Sequence, residues 1–317
     1  MASVVIALLS SANCFAFDLL PSLRDPGADL LTPARHQIDI EADDAYQFTV
    51  GANTLRRRIN SFPDSAISLQ HDLGVSQLQL AEVLLSFWFD DVNAVQFQFR
   101  YYGLYGSKPQ SQPLAFGGTI IAPPTATRIQ TQQTQNLNPG GTRWYTFGGY
   151  YERRLTPLYQ RYEANWPEFL RGWDSRAKIG IEFTYNDFRI NDGTPLFSQA
   201  SPFEARIRFH EKGLPIPVIG LEERHWLGHG FAFEATAQGY WINKWNSGRS
   251  EGGTVYDSQS GFETHWRVIY ASSDWRGFSP FAGFNYNYTK YTQTSSGVGN
   301  LLRTQVFGPE VGFNWSI

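Results

Sequence analysis

The sequence has almost no cysteine. Its one cysteine, Cys14, lies inside the first 17 residues, so a chain without that segment has neither a disulfide framework nor a thiolate metal site. Charge is scarce too. Asp, Glu, Lys and Arg make up 17% of the 317 residues, below the roughly 25% usual in soluble domains. The net charge of -3 offers no basic excess, so no nucleic-acid partner is expected. Long apolar runs are also missing: beyond residue 17 nothing reaches the roughly 18 apolar residues of a membrane-spanning helix. What is abundant is aromatic. Trp, Tyr and Phe reach 16% although the mean hydropathy is negative. Strands with one apolar and one polar face are the natural place for so many rings in so polar a chain.

Met1 to Phe17 precedes the first charged residue, Asp18, and ends in small residues. It reads as a secretory signal peptide (1–17) cleaved after Ala16, although no Lys or Arg follows Met1. A membrane anchor is the competing reading, but the run is shorter than the roughly 20 residues a spanning helix needs. Ser11-Ala-Asn-Cys14 has the outline of a lipoprotein processing site, with Asn13 a poor residue before the cysteine.

Period-two alternation then recurs along the chain, the pattern of strands that line a barrel. In Thr304 to Ile317, Phe307, Pro309, Val311, Phe313, Trp315 and Ile317 share one face, while Gly308, Glu310, Gly312, Asn314 and Ser316 share the other. Pro309 removes a ladder donor and predicts a bulge. The same template fits Tyr46–Arg56, Ala81–Phe89, Val95–Tyr105, Tyr145–Tyr151, Ile179–Tyr185, Phe231–Trp241, Gly261–Tyr270 and Phe278–Tyr291, with Phe203–Trp226 as one long broken strand. The expected fold is all-β: a single antiparallel transmembrane β-barrel of about 10 strands, or 12 if Phe203–Trp226 is a hairpin and Gly118–Gln132 adds a strand. Long connections (Arg57–Leu80, Gly106–Gly141, Asn191–Pro202, Asn243–Tyr256, Thr292–Arg303) alternate with short ones (Asp90–Ala94, Leu227–Gly230, Ala271–Gly277), as outer loops and periplasmic turns do. Leu155–Arg176, with Trp166 and Trp173, breaks the alternation and suggests an interfacial helix or a periplasmic cap. Residues 18–45 are expected as a polar periplasmic tail and 46–317 as the barrel.

These residues resemble small outer-membrane β-barrel proteins of Gram-negative bacteria, the porin-like superfamily, over Tyr46 to Ile317. The resemblance implies a bacterial outer-membrane location among lipid and lipopolysaccharide. It also implies a C-terminal strand read by the barrel assembly machinery, which Phe313 and Trp315 match and the terminal Ile317 departs from.

The registers turn Glu82, Arg100, Glu152, Lys178, Glu182, Glu234, Glu263, Arg267 and Glu310 inward as lumen-lining residues. They would line a narrow polar channel or, since about ten strands barely exceed the eight that side chains fill, pair across a filled interior. Arg56, Arg57 and Arg58 stand at the expected outer end of the first strand, where their forks suit lipopolysaccharide phosphates, or form a solvated charge run. His225 and His229, with Glu222, Glu223 and Ser247, invite a hydrolase reading. Yet both histidines sit near an expected periplasmic turn and match no metal-ligand spacing, so no catalytic residue, metal or cofactor is assigned. Trp144, Tyr145, Tyr150, Tyr151, Trp241, Trp245 and Trp275 could stack sugars, but rings near strand ends are expected at membrane interfaces. The leading expectation is a non-enzymatic barrel, either a narrow porin-like channel or a structural, surface-interaction protein with any partner at the outer loops. The alternatives are a barrel hydrolase acting on lipid or peptide, and a secreted glycan-binding β-sandwich.

Overall fold

The computed structural model describes residues 37–49, 54–59, 62–72, 75–109, 114–116, 119–122, 128–131, 143–159, 165, 173–189, 208–210, 214–248, 254–271, 275, 277–295 and 298–317. The strands are β1 (Ile38–Thr49), β2 (Thr54–Ile59), β3 (Phe62–Ser68), β4 (Val75–Trp88), β5 (Asn93–Pro109), β6 (Leu114–Phe116), β7 (Thr119–Ala122), β8 (Arg128–Thr131), β9 (Arg143–Arg154), β10 (Trp173–Arg189), β11 (Arg208–His210), β12 (Leu214–Gly228), β13 (Phe231–Gly248), β14 (Thr254–Tyr270), β15 (Phe278–Ser295) and β16 (Val298–Ser316), with one short helix, α1 (Thr156–Tyr159). The expected signal peptide, most of the expected tail, Trp166 and the segment from Asn191 to Ile207 lie outside the described residues.

Ten strands close a ring. In the order β1, β4, β5, β9, β10, β12, β13, β14, β15, β16 each pairs antiparallel with the next, and β16 returns to β1 through registers such as Ile40↔Trp315. The fold is therefore a closed ten-stranded antiparallel β-barrel, and a two-sheet sandwich is overturned by that closing pair. A path of Cα partners from Ser316 runs through Asp39, Ser86, Gln96, Tyr150 and Gly180. It continues through Val218, Tyr240, Gly261 and Thr289 and regains β16 at Thr304, twelve residues from its start. With a rise of about 3.3 Å and a strand spacing of about 4.8 Å, this stagger tilts the strands by roughly 40° and gives a Cα radius of about 10 Å.

Both barrel ends of the chain lie together: Ile38 and Ile317 exchange backbone hydrogen bonds of 3.1 and 2.9 Å. The tight connections β4–β5, β12–β13 and β14–β15 share this end. The β12–β13 hairpin turns at His229 (φ 55°) and Gly230 (φ 82°), the paired left-handed residues that a two-residue primed turn requires. The connection after β9 is long at this end, as its sequence suggests, but the only helix described in it is the four-residue α1, which Thr156 ties to Asp174 (2.7 Å).

Several boundaries differ from expectation. The first barrel strand begins at Ile38, not Tyr46, because Ile38, Ile40 and Ala42 alternate with Asp39, Glu41 and Asp43, a strand pattern whose acids resemble a solvated tail. It stops at Thr49, and β2 carries Arg56, Arg57 and Arg58 onward along the same partner, β16. Thr292–Arg303, expected as a long loop, belongs to β15 and β16, which leave only residues 296 and 297 between them. Phe203–Trp226 is not one strand: β11 and β12 both pair with β10. Pro309 makes no bulge, since β15 passes it in register at Phe284↔Pro309. Prolines matter more on β12, where Pro215 and Pro217 lack amide hydrogens. There the β12–β13 ladder ends at Val218↔Tyr240 while the β10 side pairs on to Leu214.

One row of each strand faces out. Phe97 and Phe147 are 53% exposed and Ile179 60%, whereas the alternating Gln98, Arg100 and Glu182 are 2–4% exposed. The outer row also holds ring pairs, including Phe284 stacked on Phe307 (5.6 Å) and Tyr145 on Tyr185 (4.7 Å). No described helix is long and apolar enough to cross a membrane.

Candidate functional site

The barrel interior is the candidate site. Inward residues of neighbouring strands stand at successive levels, and their charges join into one chain. Arg100 on β5 reaches Glu263 on β14 (2.7 Å), the strand diametrically opposite in the ring, and also holds Glu82 on β4 and Glu182 on β10 (3.6 Å). Glu263 faces His265 (3.1 Å), which contacts Glu310 on β16 (2.8 Å). Glu310 accepts from Arg267 Nε (2.8 Å), whose other nitrogens bond Glu41 and Asp43 on β1 (2.6 Å to Asp43). Arg267 also lies 3.6 Å from Glu234, which binds Arg224 (2.5 Å). From Arg224 the chain continues through Glu222 (3.3 Å) to Arg176 (3.4 Å) and Glu152 (3.6 Å). It touches every strand of the ring except β15.

Neutral groups fill the space between these charges. The Tyr150 hydroxyl lies 2.5 Å from both Gln98 and Glu182, Gln96 bonds Glu152, Gln238 bonds Glu263 (2.6 Å), and Tyr240 pairs with Thr289 (2.6 Å). At the end near the chain termini, Ala232, Ile269, Ala271 and Phe281 form a small apolar plug with Trp226 against it. The Arg267 guanidinium lies 4.4 Å from the Phe281 ring centroid, so the plug and the charges meet through a cation–π contact, and that of Arg176 lies 5.2 Å from the Trp88 ring. Two glycines make room for the rings: a Cβ on Gly148 or Gly261 would fall within the side chain of Tyr150 or Tyr240.

Glu82, Arg100, Glu152, Glu182, Glu234, Glu263, Arg267 and Glu310 all stand in this interior, and all are nearly fully buried. Lys178 is half-buried beside them, with its Nζ 5.1 Å from the Tyr150 ring centroid. Sequence reasoning missed Glu41, Asp43, Arg176, Arg224 and His265 as members. Glu41 and Asp43 lie in the expected tail and Arg176 in the expected Leu155–Arg176 connection, which β10 absorbs, while Arg224 and His265 occupy the polar row of expected strands. It also missed the inward apolar residues Leu80, Leu214, Ile216, Val218 and Leu302, which are 0–1% exposed. The phrase Leu214-Pro-Ile-Pro-Val218 thus turns apolar side chains to both faces. Tyr150 belongs to the interior network, not to a membrane interface.

Two sets of donors could surround a metal ion, Asp43 with His265 and Glu310, and Glu41 with Asp43 and Glu82, each with atoms within 4.8 Å of one another. Arg267 already engages Glu41, Asp43 and Glu310, and Arg100 engages Glu82, so guanidinium groups supply the positive charge that a cation would bring. The histidines weighed for hydrolysis lie elsewhere. His225 stacks on Trp173 (4.9 Å) and His229 forms the β12–β13 turn, while Ser247 sits near the opposite end of β13.

Phe313 stacks on Phe278 (5.3 Å), and Trp315 and Ile317 face outward, 44% and 64% exposed. Arg56 and Arg58 pair in register with Leu301 and Gly299 of the outward row, and Arg57 with Asn300 of the other row.

No protein-family model matches the sequence, and no curated protein matches it. Among solved structures the chain is similar to the outer membrane protease OmpT from Escherichia coli, at 9% identity over 89% of this chain and 97% of that chain, with a TM-score of 0.41. It is similar to an outer membrane channel from Pseudomonas putida F1, at 9% identity over 94% and 100% of the two chains, with a TM-score of 0.36. The transport unit of the autotransporter AIDA-I from Escherichia coli is 9% identical over 98% and 97%, with a TM-score of 0.35.

Proposed function

We propose that this chain is a non-enzymatic integral protein of a bacterial outer membrane, with a closed interior and a scaffold role that presents its outer loops. The observation that carries this reading is the Arg100–Glu263 pair between strands on opposite sides of the ring, with both side chains nearly fully buried. An open channel needs a water-filled bore, and side chains in contact between opposite strands obstruct it at their level. The membrane setting is supported by the outward row of Phe, Ile, Val, Trp and Tyr around a barrel with no free edge. On this reading residues 1–17 direct export and Phe313, Trp315 and Ile317 engage the assembly machinery. Separation of Ser247 from both histidines supports a non-enzymatic role. Planar-bilayer recording of the purified barrel tests the closed interior: current at background is expected, and stable steps of porin size overturn it. A narrow channel would show as small, discrete steps.

A further inference from the structure

Lys290 and Arg303 are direct cross-strand partners on the outward row of β15 and β16. Lys290 is exposed, and Arg303 Nε is buried with no hydrogen-bond partner. Among the described residues neither side chain has a carboxylate partner. Two like charges directly opposite each other on a sheet repel, which destabilises the pair unless an anion lies between them. The same row continues upward along β16 to Leu301 and Gly299, whose partners on β2 are Arg56 and Arg58. The backbone register thus sets the positions of Arg56 and Arg58 beside the row that carries the outward Lys290 and Arg303. Below them the row is aromatic and apolar: Tyr288, Tyr286 and Phe284 on β15, and Phe307 on β16, with Gln305 donating to the Tyr286 hydroxyl (3.0 Å).

Height identifies the occupant. From Trp315 to Arg303 is twelve residues of β16, which at about 3.3 Å per residue and a tilt of roughly 40° is about 30 Å along the barrel axis. The apolar band of such a barrel is about 25 Å tall, so the cations stand just above its outer edge, level with lipid headgroups. A tetrahedral phosphate can accept from the Arg303 fork and the Lys290 ammonium together.

We propose that Lys290 and Arg303 bind a phosphate group of a phosphorylated outer-leaflet glycolipid, that is, lipopolysaccharide. This rests on the outer-membrane reading and names two residues that sequence spacing did not single out.

The test is native mass spectrometry of barrels extracted from outer membranes in mild detergent. Wild type is expected to carry phosphorylated glycolipid, and Lys290→Ala/Arg303→Ala to carry about tenfold less, the loss of charge-assisted contacts. Lys290→Arg should keep the lipid, and Arg153→Ala, an exposed cation at the other end, should change nothing. Added lipid A should restore binding to wild type, whereas its dephosphorylated form should not. Displacement by millimolar inorganic phosphate would assign the cations to free anion and overturn the lipid. Equal lipid on the double variant and wild type, both heat-modifiable and in the outer-membrane fraction, overturns this inference alone. A wild-type chain found outside that fraction overturns the outer-membrane reading instead.

Discussion

Replacing Arg100 with Ala removes the guanidinium that links opposite walls and leaves Glu82, Glu182 and Glu263 facing one another. Each of the three is at most 4% exposed, so water relieves little of their repulsion. Truncating one partner of a buried pair costs about 3–5 kcal/mol, roughly two to four powers of ten in the folding equilibrium. Most of that is the penalty on the carboxylates left behind, not the worth of the pair itself. Glu263→Gln separates the two contributions, because Arg100 keeps Glu82 and Glu182 and Gln retains a hydrogen-bonding oxygen. Its expected cost is smaller, about 1–2 kcal/mol. The assay is urea unfolding in lipid vesicles, followed by tryptophan emission and by the heat-dependent gel shift. In planar bilayers Arg100→Ala should also conduct above the wild-type background. An Arg100→Ala barrel with the wild-type urea midpoint and the wild-type current would refute the spanning-pair argument.

Gly261→Ala places a methyl group in the ring of Tyr240, whose hydroxyl pairs with Thr289 at 2.6 Å. Overpacking of this kind should lower stability by about 1–3 kcal/mol in the same urea assay. Asp44 points outward between Val311 and Ala81, with Gln79 as its hydrogen-bond partner (3.2 Å). If lipid surrounds it, Asp44→Val should raise stability by about 1 kcal/mol or more, and a fall in the unfolding midpoint would instead reveal a polar neighbour there. Trp315→Asp combined with Ile317→Asp should cut the heat-modifiable barrel in outer-membrane fractions several-fold, measured by quantitative blotting. An unchanged level would exclude these residues from recognition by the assembly machinery.

Much of the wall was legible because the period of a strand is two and its faces meet different surroundings. Val95, Phe97 and Phe99 against Gln96, Gln98 and Arg100 could be read in no other register, and each falls on the expected side. The reading failed where the inner face does not obey a polar rule. Leu214, Ile216 and Val218 point inward because the upper interior is packed with apolar side chains, so that strand shows no alternation of polarity. It failed again at Ile38–Ala45, where acids close together suggest solvent although Glu41 and Asp43 face Arg267. A partner lying more than two hundred positions away leaves no local trace. The same distance hides the site as a whole: sequence turns Arg100 and Glu263 inward, but only the ring order of the strands sets them opposite each other.

The pairing of β1 with β16 also has a consequence in time. It joins Asp39 to Ser316, nearly the full length of the described chain, so its loop-closure entropy is the largest of any pairing in the wall. Until that contact forms, the growing sheet carries two raw edges, each a row of amides and carbonyls able to recruit a strand from another molecule. A chain lacking Ile38–Thr49 is then not a slightly smaller barrel. It is an open sheet with edges at β4 and β16, prone to join its own copies. Loop-closure entropy accordingly favours closure as the last event of assembly.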